Sequence, residues 1–314
     1  ALLCSLLVIV TNGLLIAEGL TDYFSFGPLG AFTFAGKFFL LFAAGAMFGR
    51  AMGDSHAAAS LALAMVRKLG AHRALWITTL ACALLTYGGV VVFVVVFAMY
   101  PLGLKLLQEA NIPKRLFCAA LALGAGTFTL TALPGTPSIH NVIASVSLGT
   151  DLFAGFWLGL AGGVLMFAGG IWYLERQRGL AAANGEGFEP GPRDRILELS
   201  DDEMPHWLLA CLPLVVVLLT IMLPRILLLV LGEDFASTGT SLAQLLNFAN
   251  SQPIVWPSIA LFCGTVLASL LFPAVRSNAL HIIGAGTQDS IMPLINTSAV
   301  IGFGGVVTKT AVFA

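Results

Sequence analysis

Residues 74–107 are apolar almost throughout, interrupted at Tyr87-Gly88-Gly89, and basic at both flanks. As one straight helix the segment would run ~51 Å at ~1.5 Å per residue, against a hydrocarbon core of ~30 Å. Arg67, Lys68 and Arg73 precede it; Lys105, Lys114 and Arg115 close it. Short loops rich in Lys and Arg stay on the cytoplasmic side, so a single crossing would strand one basic cluster outside. A re-entrant hairpin with its tip at the two glycines keeps both inside. Non-helical backbone at membrane depth survives only where protein buries it or where it lines a wet cavity. The tip is therefore a candidate binding site, and the chain a candidate transporter.

Composition places the whole chain in the same class. Mean hydropathy is +0.94, 58% of residues are hydrophobic and 10% are charged, values of an integral membrane protein rather than a soluble domain. Cys4, Cys82, Cys118, Cys211 and Cys263 all lie inside apolar runs, without metal-ligand spacing, and read as small buried hydrophobes. The sequence holds no nucleotide-binding glycine loop, metal cluster or nucleophile triad. It implies no cofactor, no nucleic-acid partner and no enzyme.

A membrane-length window gives a topology. Residues 2–20 read as a first span and 34–50 as a second that ends basic at Arg50. Residues 54–69 read as an interfacial helix, with Asp54 either its N-cap or, equally, a frayed continuation of the preceding span. The hairpin 74–107 follows. Residues 114–148 repeat the length problem: a helical pattern runs to Ala132, then Leu133-Pro134-Gly135-Thr136-Pro137-Ser138 interrupts it. Prolines remove a backbone donor and clash with the preceding turn, so this is a crossing helix unwound near mid-membrane. Residues 152–174 cross back, 175–206 form a cytoplasmic linker, 207–231 go out, 232–252 lie outside without Lys or Arg, 254–272 return, and 291–309 head outward.

Residues 41–50 can be laid over 300–309, with Gly45 on Gly304 and Arg50 on Lys309. The first copy runs inward and the second outward. Opposed copies are the signature of inverted-repeat carriers, whose sites form at discontinuous helices near the midplane. The fold class is thus an all-α integral membrane protein: a first repeat over 1–174, a linker over 175–206, and the start of a second repeat over 207–314. The chain begins at Ala1 in mid-span and stops at Ala314 in another apolar stretch. One further span is therefore expected before Ala1, and a second hairpin and broken helix after Ala314.

The order of span, interfacial helix, re-entrant hairpin and broken helix resembles the ion transporter superfamily. Residues 45–50 (Gly-Ala-Met-Phe-Gly-Arg), 110–113 (Ala-Asn-Ile-Pro), 133–137 (Leu-Pro-Gly-Thr-Pro) and 202–205 (Asp-Glu-Met-Pro) are similar to its gluconate permease family of proton symporters. That resemblance covers essentially the whole chain. It implies a multi-pass protein of the inner (plasma) membrane that imports gluconate or another hydroxycarboxylate with protons. It also implies that Tyr87, Gly88 and Gly89 face the break across the substrate. The family pattern has a glutamate at the tip and a histidine between the prolines; here Tyr87 stands at the tip and His140 follows the prolines.

A carboxylate entering a dry cavity must exchange its water for fixed hydrogen-bond donors. Unwound helix ends supply backbone N–H groups and the positive dipole end. Around the break, Thr131, Gly135, Thr136, Ser138 and Asn141 are the candidate substrate-binding residues, and His140, able to titrate near neutral pH, is the candidate for proton coupling. Thr127 and Thr129 are equally readable as hydroxyls bonded back into their helix. Glu18 and Lys37 read as headgroup-level residues at the outer ends of their spans. The partners implied are the bilayer, a small organic anion and its proton; a homodimer is compatible with all of this. The alternatives are a cation-coupled, citrate-type carrier and, further off, an intramembrane enzyme or a channel.

Overall fold

A computed structural model describes residues 1–25, 27, 29–61, 64, 70, 73–88, 92, 95, 99, 103–104, 106–108, 110–191, 204–231 and 239–310. Its regular structure is helical, with no strand among the described residues. Helices Ala31–Asp54, Phe156–Ala183, Trp207–Leu231 and Ala279–Val307 are long and apolar enough to cross a bilayer. A further pair, Ser241–Ser251 and Val255–Leu271, meets at a bend of 102°.

In chain order the helices are α1 (Leu2–Thr11), α2 (Ile16–Phe24), α3 (Ala31–Asp54), α4 (Ala74–Tyr87), α5 (Lys114–Gly126), α6 (Phe128–Thr131) and α7 (Ile139–Leu148). Then follow α8 (Phe156–Ala183), α9 (Trp207–Leu231), α10 (Ser241–Ser251), α11 (Val255–Leu271), α12 (Pro273–Ser277) and α13 (Ala279–Val307).

The first span departs from expectation. Residues 2–20 are not one helix but α1 and α2, separated at Asn12-Gly13, where Gly13 takes φ +69°. The Asn12 side chain donates to the Val8 carbonyl and closes α1, a turn signal that the apolar run around it outweighed in the sequence. Gly19 then packs directly on Ile9.

The centre of the packing is the pair α3 and α13. Gly286 lies against the Met47 backbone and Gly302 against Ala31, so the two helices run antiparallel at close approach. Between lipid-facing helices apolar burial gives little drive, and small residues that bring backbones together do most of the work. α3 has buried small residues at Ala43, Ala44, Gly45 and Ala46, and α13 brings Gly286 and Gly302 to the contact. At one end Arg50 bonds Asp54 at 3.1 Å and Asp289 of α13 at 3.1 Å. Asp54 is therefore the last residue of α3 and the partner of Arg50, not the N-cap of a following helix; Ser55 accepts the Ala57 N–H instead. Residues 57–61 are helical, and the remainder of the interfacial segment lies largely outside the described residues.

α11 lies beside α3 in the same direction, and α9 is tied to α11 by the Trp256 indole N–H donating to the Thr220 carbonyl at 2.8 Å. Residues 232–252 were expected to be an outer loop. Their described part contains α10, capped by Thr240, whose hydroxyl accepts the Ala243 N–H. Leu246 packs inward from α10, and the 102° bend turns this helix across the direction of α11.

α8 starts at Phe156, after Gly155 at φ +67°, and continues past Leu174 to Ala183, through residues expected in the linker. The Glu175–Arg178 pair and the Arg176 guanidinium over Trp172 carry the helix into polar surroundings. Beyond it, the chain folds back on residues 110–115. Arg115 bonds Glu186 at 2.7 Å, Asn111 Oδ1 accepts the Phe188 N–H, and the Arg115 bond holds the exposed Glu186 carboxyl below its ordinary range.

Candidate functional site

The described start of the segment expected to be a hairpin, α4, has 14 residues, about 21 Å at ~1.5 Å per residue, too short to cross ~30 Å of hydrocarbon. It lies parallel to α5. The Thr79 hydroxyl donates to the Ala120 carbonyl at 3.2 Å, and Gly124 touches the Thr79 backbone. A Cβ at Gly124 would collide with the Thr79 carbonyl, so glycine sets how close the two helices run. Both end in mid-protein, α4 at Tyr87 and α5 at Gly126, before Thr127 leaves helical geometry at φ −123°, ψ −103°.

The broken stretch then forms a short turn, α6, and an irregular crossing to α7. Gly135 takes φ +75°, a region that costs other residues about 1–2 kcal/mol, and its N–H donates to the Leu152 carbonyl at 2.8 Å. The Asn141 amide donates to the same carbonyl at 3.2 Å and to the Thr136 carbonyl at 3.0 Å. Thr136 is fully buried, and its hydroxyl accepts the Ser138 N–H at 3.3 Å. The Ser138 hydroxyl donates to the Leu130 carbonyl and, as N-cap, accepts the Asn141 N–H. The break is thus a self-bonded loop whose side chains satisfy the carbonyls that the missing helix would have paired.

Tip and break meet. The Tyr87 hydroxyl donates to the Pro134 carbonyl at 3.0 Å, and Gly88 packs against Leu214 of α9. Gly135, Thr136, Ser138, Asn141 and Tyr87 are therefore one constellation. Thr131 and His140 are exposed at its edge, with the Thr131 hydroxyl returned to the Thr127 carbonyl. Gly89 and most of residues 90–107, the expected return of the hairpin, lie outside the described residues. Thr127 and Thr129 both bond back, to Leu123 and Gly124.

Sequence reading did not single out Leu152, whose carbonyl joins Gly135 to Asn141, or Phe153, whose ring lies over Gly135. A signal for them exists in Asp151, whose carboxylate accepts the Phe153 N–H at 2.8 Å in a local turn between Gly149 and Gly155. Leu214, the neighbour of Gly88, follows Pro213 inside α9.

Membrane-length helices, with one helix broken opposite the end of the short α4, define a multi-pass, all-α membrane protein. The chain belongs to the GntP family of permeases, whose family model matches residues 2–313. It is 39% identical over 285 residues to the uncharacterized transporter YxjC of Bacillus subtilis (strain 168), a match covering 86% of this chain and 60% of that relative. The chain spans about 60% of the relative's length. No solved structure matches it. The family is described as one of permeases, and the relative carries the name of a transporter.

Proposed function

We propose that the protein is a secondary active transporter of the inner (plasma) membrane that imports a small hydroxycarboxylate, gluconate or a close relative, together with protons. The observation that supports this most directly is the Tyr87–Pro134 bond, which puts the end of a short, non-crossing arm against the unwound part of a crossing helix. Two interrupted helices facing each other provide backbone polar groups at a depth where no water competes for them.

The chemistry follows from the ends of those helices. α7 begins at the break, and its first helical bond is Val142 to Ser138, so the N–H groups of Ile139 and His140 stand ahead of the ladder at the positive end of the dipole. A carboxylate placed there trades hydration for fixed donors without an arginine partner that would retain it. In this reading Tyr87 and Gly88 form the movable wall, and Gly135, Thr136, Ser138 and Asn141 hold the break open. Thr131 and the exposed His140 line the approach, with His140 carrying the coupling proton.

Uptake of labelled gluconate into vesicles, with and without an imposed pH gradient, tests the reading. Uptake is expected to follow the proton gradient, and His140→Ala to alter its pH dependence. Thr136→Ala is expected to weaken apparent affinity about fivefold, the scale of one neutral hydrogen bond, by removing the acceptor of the Ser138 N–H that keeps the break open, while Thr136→Ser retains it. Uptake that follows a sodium gradient would instead assign a citrate-type carrier. No gradient-driven uptake of any hydroxy acid would refute the proposal.

A further inference from the structure

A cavity of about 620 Å³ opens at the end of the molecule opposite Arg50, between the C-terminal end of α7, the bend joining α10 to α11, and the start of α3. Its polar lining includes Lys37, Ser145, Thr150, Asp151, Asn250 and Gln252. Lys37 and Arg50 are separated by about 20 Å along α3 at ~1.5 Å per residue. With the Arg50 end cytoplasmic by its charge, the cavity faces the outer aqueous phase.

We propose that this cavity is an outer vestibule that binds a small, singly charged carboxylate ahead of the break, with Lys37 as its counter-charge. The inference rests on the transporter reading above and adds a second binding site to it.

Three features carry it. Lys37, Thr150 and Gln252 are engaged in no side-chain hydrogen bond or ion pair among the described residues, so a cation and two neutral groups are available to a ligand. A lysine that only reached for headgroups would not need a cavity walled by amides and hydroxyls. The second feature is connectivity. Residues 149–151 line the cavity, and the very next carbonyl, Leu152, is the one held by Gly135 and Asn141 of the break. Occupancy of the vestibule therefore bears on the segment that fixes the break.

Charge selects the ligand class. Asp151 faces the same cavity, its carboxylate already accepting the Phe153 N–H. One carboxylate pairs with Lys37, whereas a second or third on the same ligand is repelled by Asp151. The remaining polar lining suits hydroxyl groups. A volume of this size accommodates such an acid with several of its waters, as a weak first site requires if cargo is to move on.

The test reads binding separately from transport. Ser251 lines the vestibule and is exposed. In a background with the native cysteines replaced by alanine, Ser251→Cys is labelled with a membrane-impermeant thiol reagent in right-side-out vesicles. Gluconate is expected to slow labelling in a saturable way, and citrate to do so more weakly. Lys37→Gln is expected to raise the protecting concentration about tenfold, the scale of a lost charge-assisted bond, and Lys37→Arg to restore most of it. Absence of protection with Lys37 in place, or equal protection in Lys37→Gln, overturns the proposal. So does protection that needs no added acid and appears only with phosphatidylglycerol in the vesicles, which assigns the cavity to lipid headgroups. Uptake in the same vesicles separates the two readings: transport with no protection removes the vestibule alone, and protection with no transport removes the carrier.

Discussion

Gly135 is the position where the break is most sensitive to one added methyl group. Two independent costs act on Gly135→Ala. An L-residue held at φ +75° is strained by about 1–2 kcal/mol. The new Cβ would also lie 2.5 Å from Phe153 Cε1 and 2.9 Å from Cζ, inside any real carbon contact. Phe153 is only half-buried, so its ring can swing aside at about 0.5–1.5 kcal/mol for an off-rotamer side chain. The combined cost is ~1.5–3.5 kcal/mol, directed at the Gly135–Leu152 bond and through it at Asn141. Two other glycines resolve the parts. Gly155 has φ +67° with nothing within 4 Å of a Cβ, so Gly155→Ala carries strain alone, ~1–2 kcal/mol. Gly169, inside α8, has open space at its Cβ, and Gly169→Ala is neutral or stabilising by up to ~1 kcal/mol. Denaturant melts in mixed micelles measure all three, and gluconate uptake reports the break itself. In the double variant, Phe153→Leu should recover the ring-displacement part and leave the strain. If Gly135→Ala costs no more than Gly155→Ala, or if Phe153→Leu recovers nothing, the geometric account of the break is wrong.

Tyr87→Phe removes the hydrogen bond that joins the end of α4 to the break and should cost about 1 kcal/mol of stability, with a larger change in uptake rate than in unfolding. A double-mutant cycle of Arg50→Gln and Asp289→Asn should give a coupling below ~1 kcal/mol, because both side chains are more than a third exposed; a coupling of several kcal/mol would mean the pair is shielded from water. The folded-state pKa of Glu186 is depressed by Arg115, so the docked inner loop is held at neutral pH and released as pH falls through that lowered value. Thiol labelling of Phe188→Cys should accordingly rise on acidification in the wild-type background and be raised at all pH values in Arg115→Gln. Cysteines at Arg73 and Lys105 should react from the same membrane face; reaction from opposite faces would refute a re-entrant hairpin.

How far the sequence reached can be judged position by position. The Leu-Pro-Gly-Thr-Pro interruption located the break, because two prolines and a glycine forbid a helix whatever surrounds them. It did not show that the donors of Ser138 and Asn141 would be turned onto the break's own carbonyls, since those acceptors exist only after the loop has closed. The Tyr87-Gly88 interruption located the end of the short arm, but nothing local points the Tyr87 hydroxyl at Pro134. At Asn12-Gly13 a turn signal was present and lost among apolar neighbours. Helix α10 was hidden because a short amphipathic helix and a polar loop differ little in composition.

Hydropathy by itself determined that the chain is helical and membrane-embedded, because lipid leaves an unpaired backbone no alternative to local hydrogen bonding. Proline and glycine chemistry determined where helices stop, since that too is decided within one turn. Tertiary structure alone decided which interruptions face one another, that the Leu152 carbonyl joins both sides of the break, and that Lys37 lines a cavity instead of a lipid surface. Those outcomes depend on close approaches between segments far apart in sequence, such as Gly124 on Thr79 and Gly286 on Met47. Packing contacts of that kind leave no periodicity to read, because each is fixed by two partners at once.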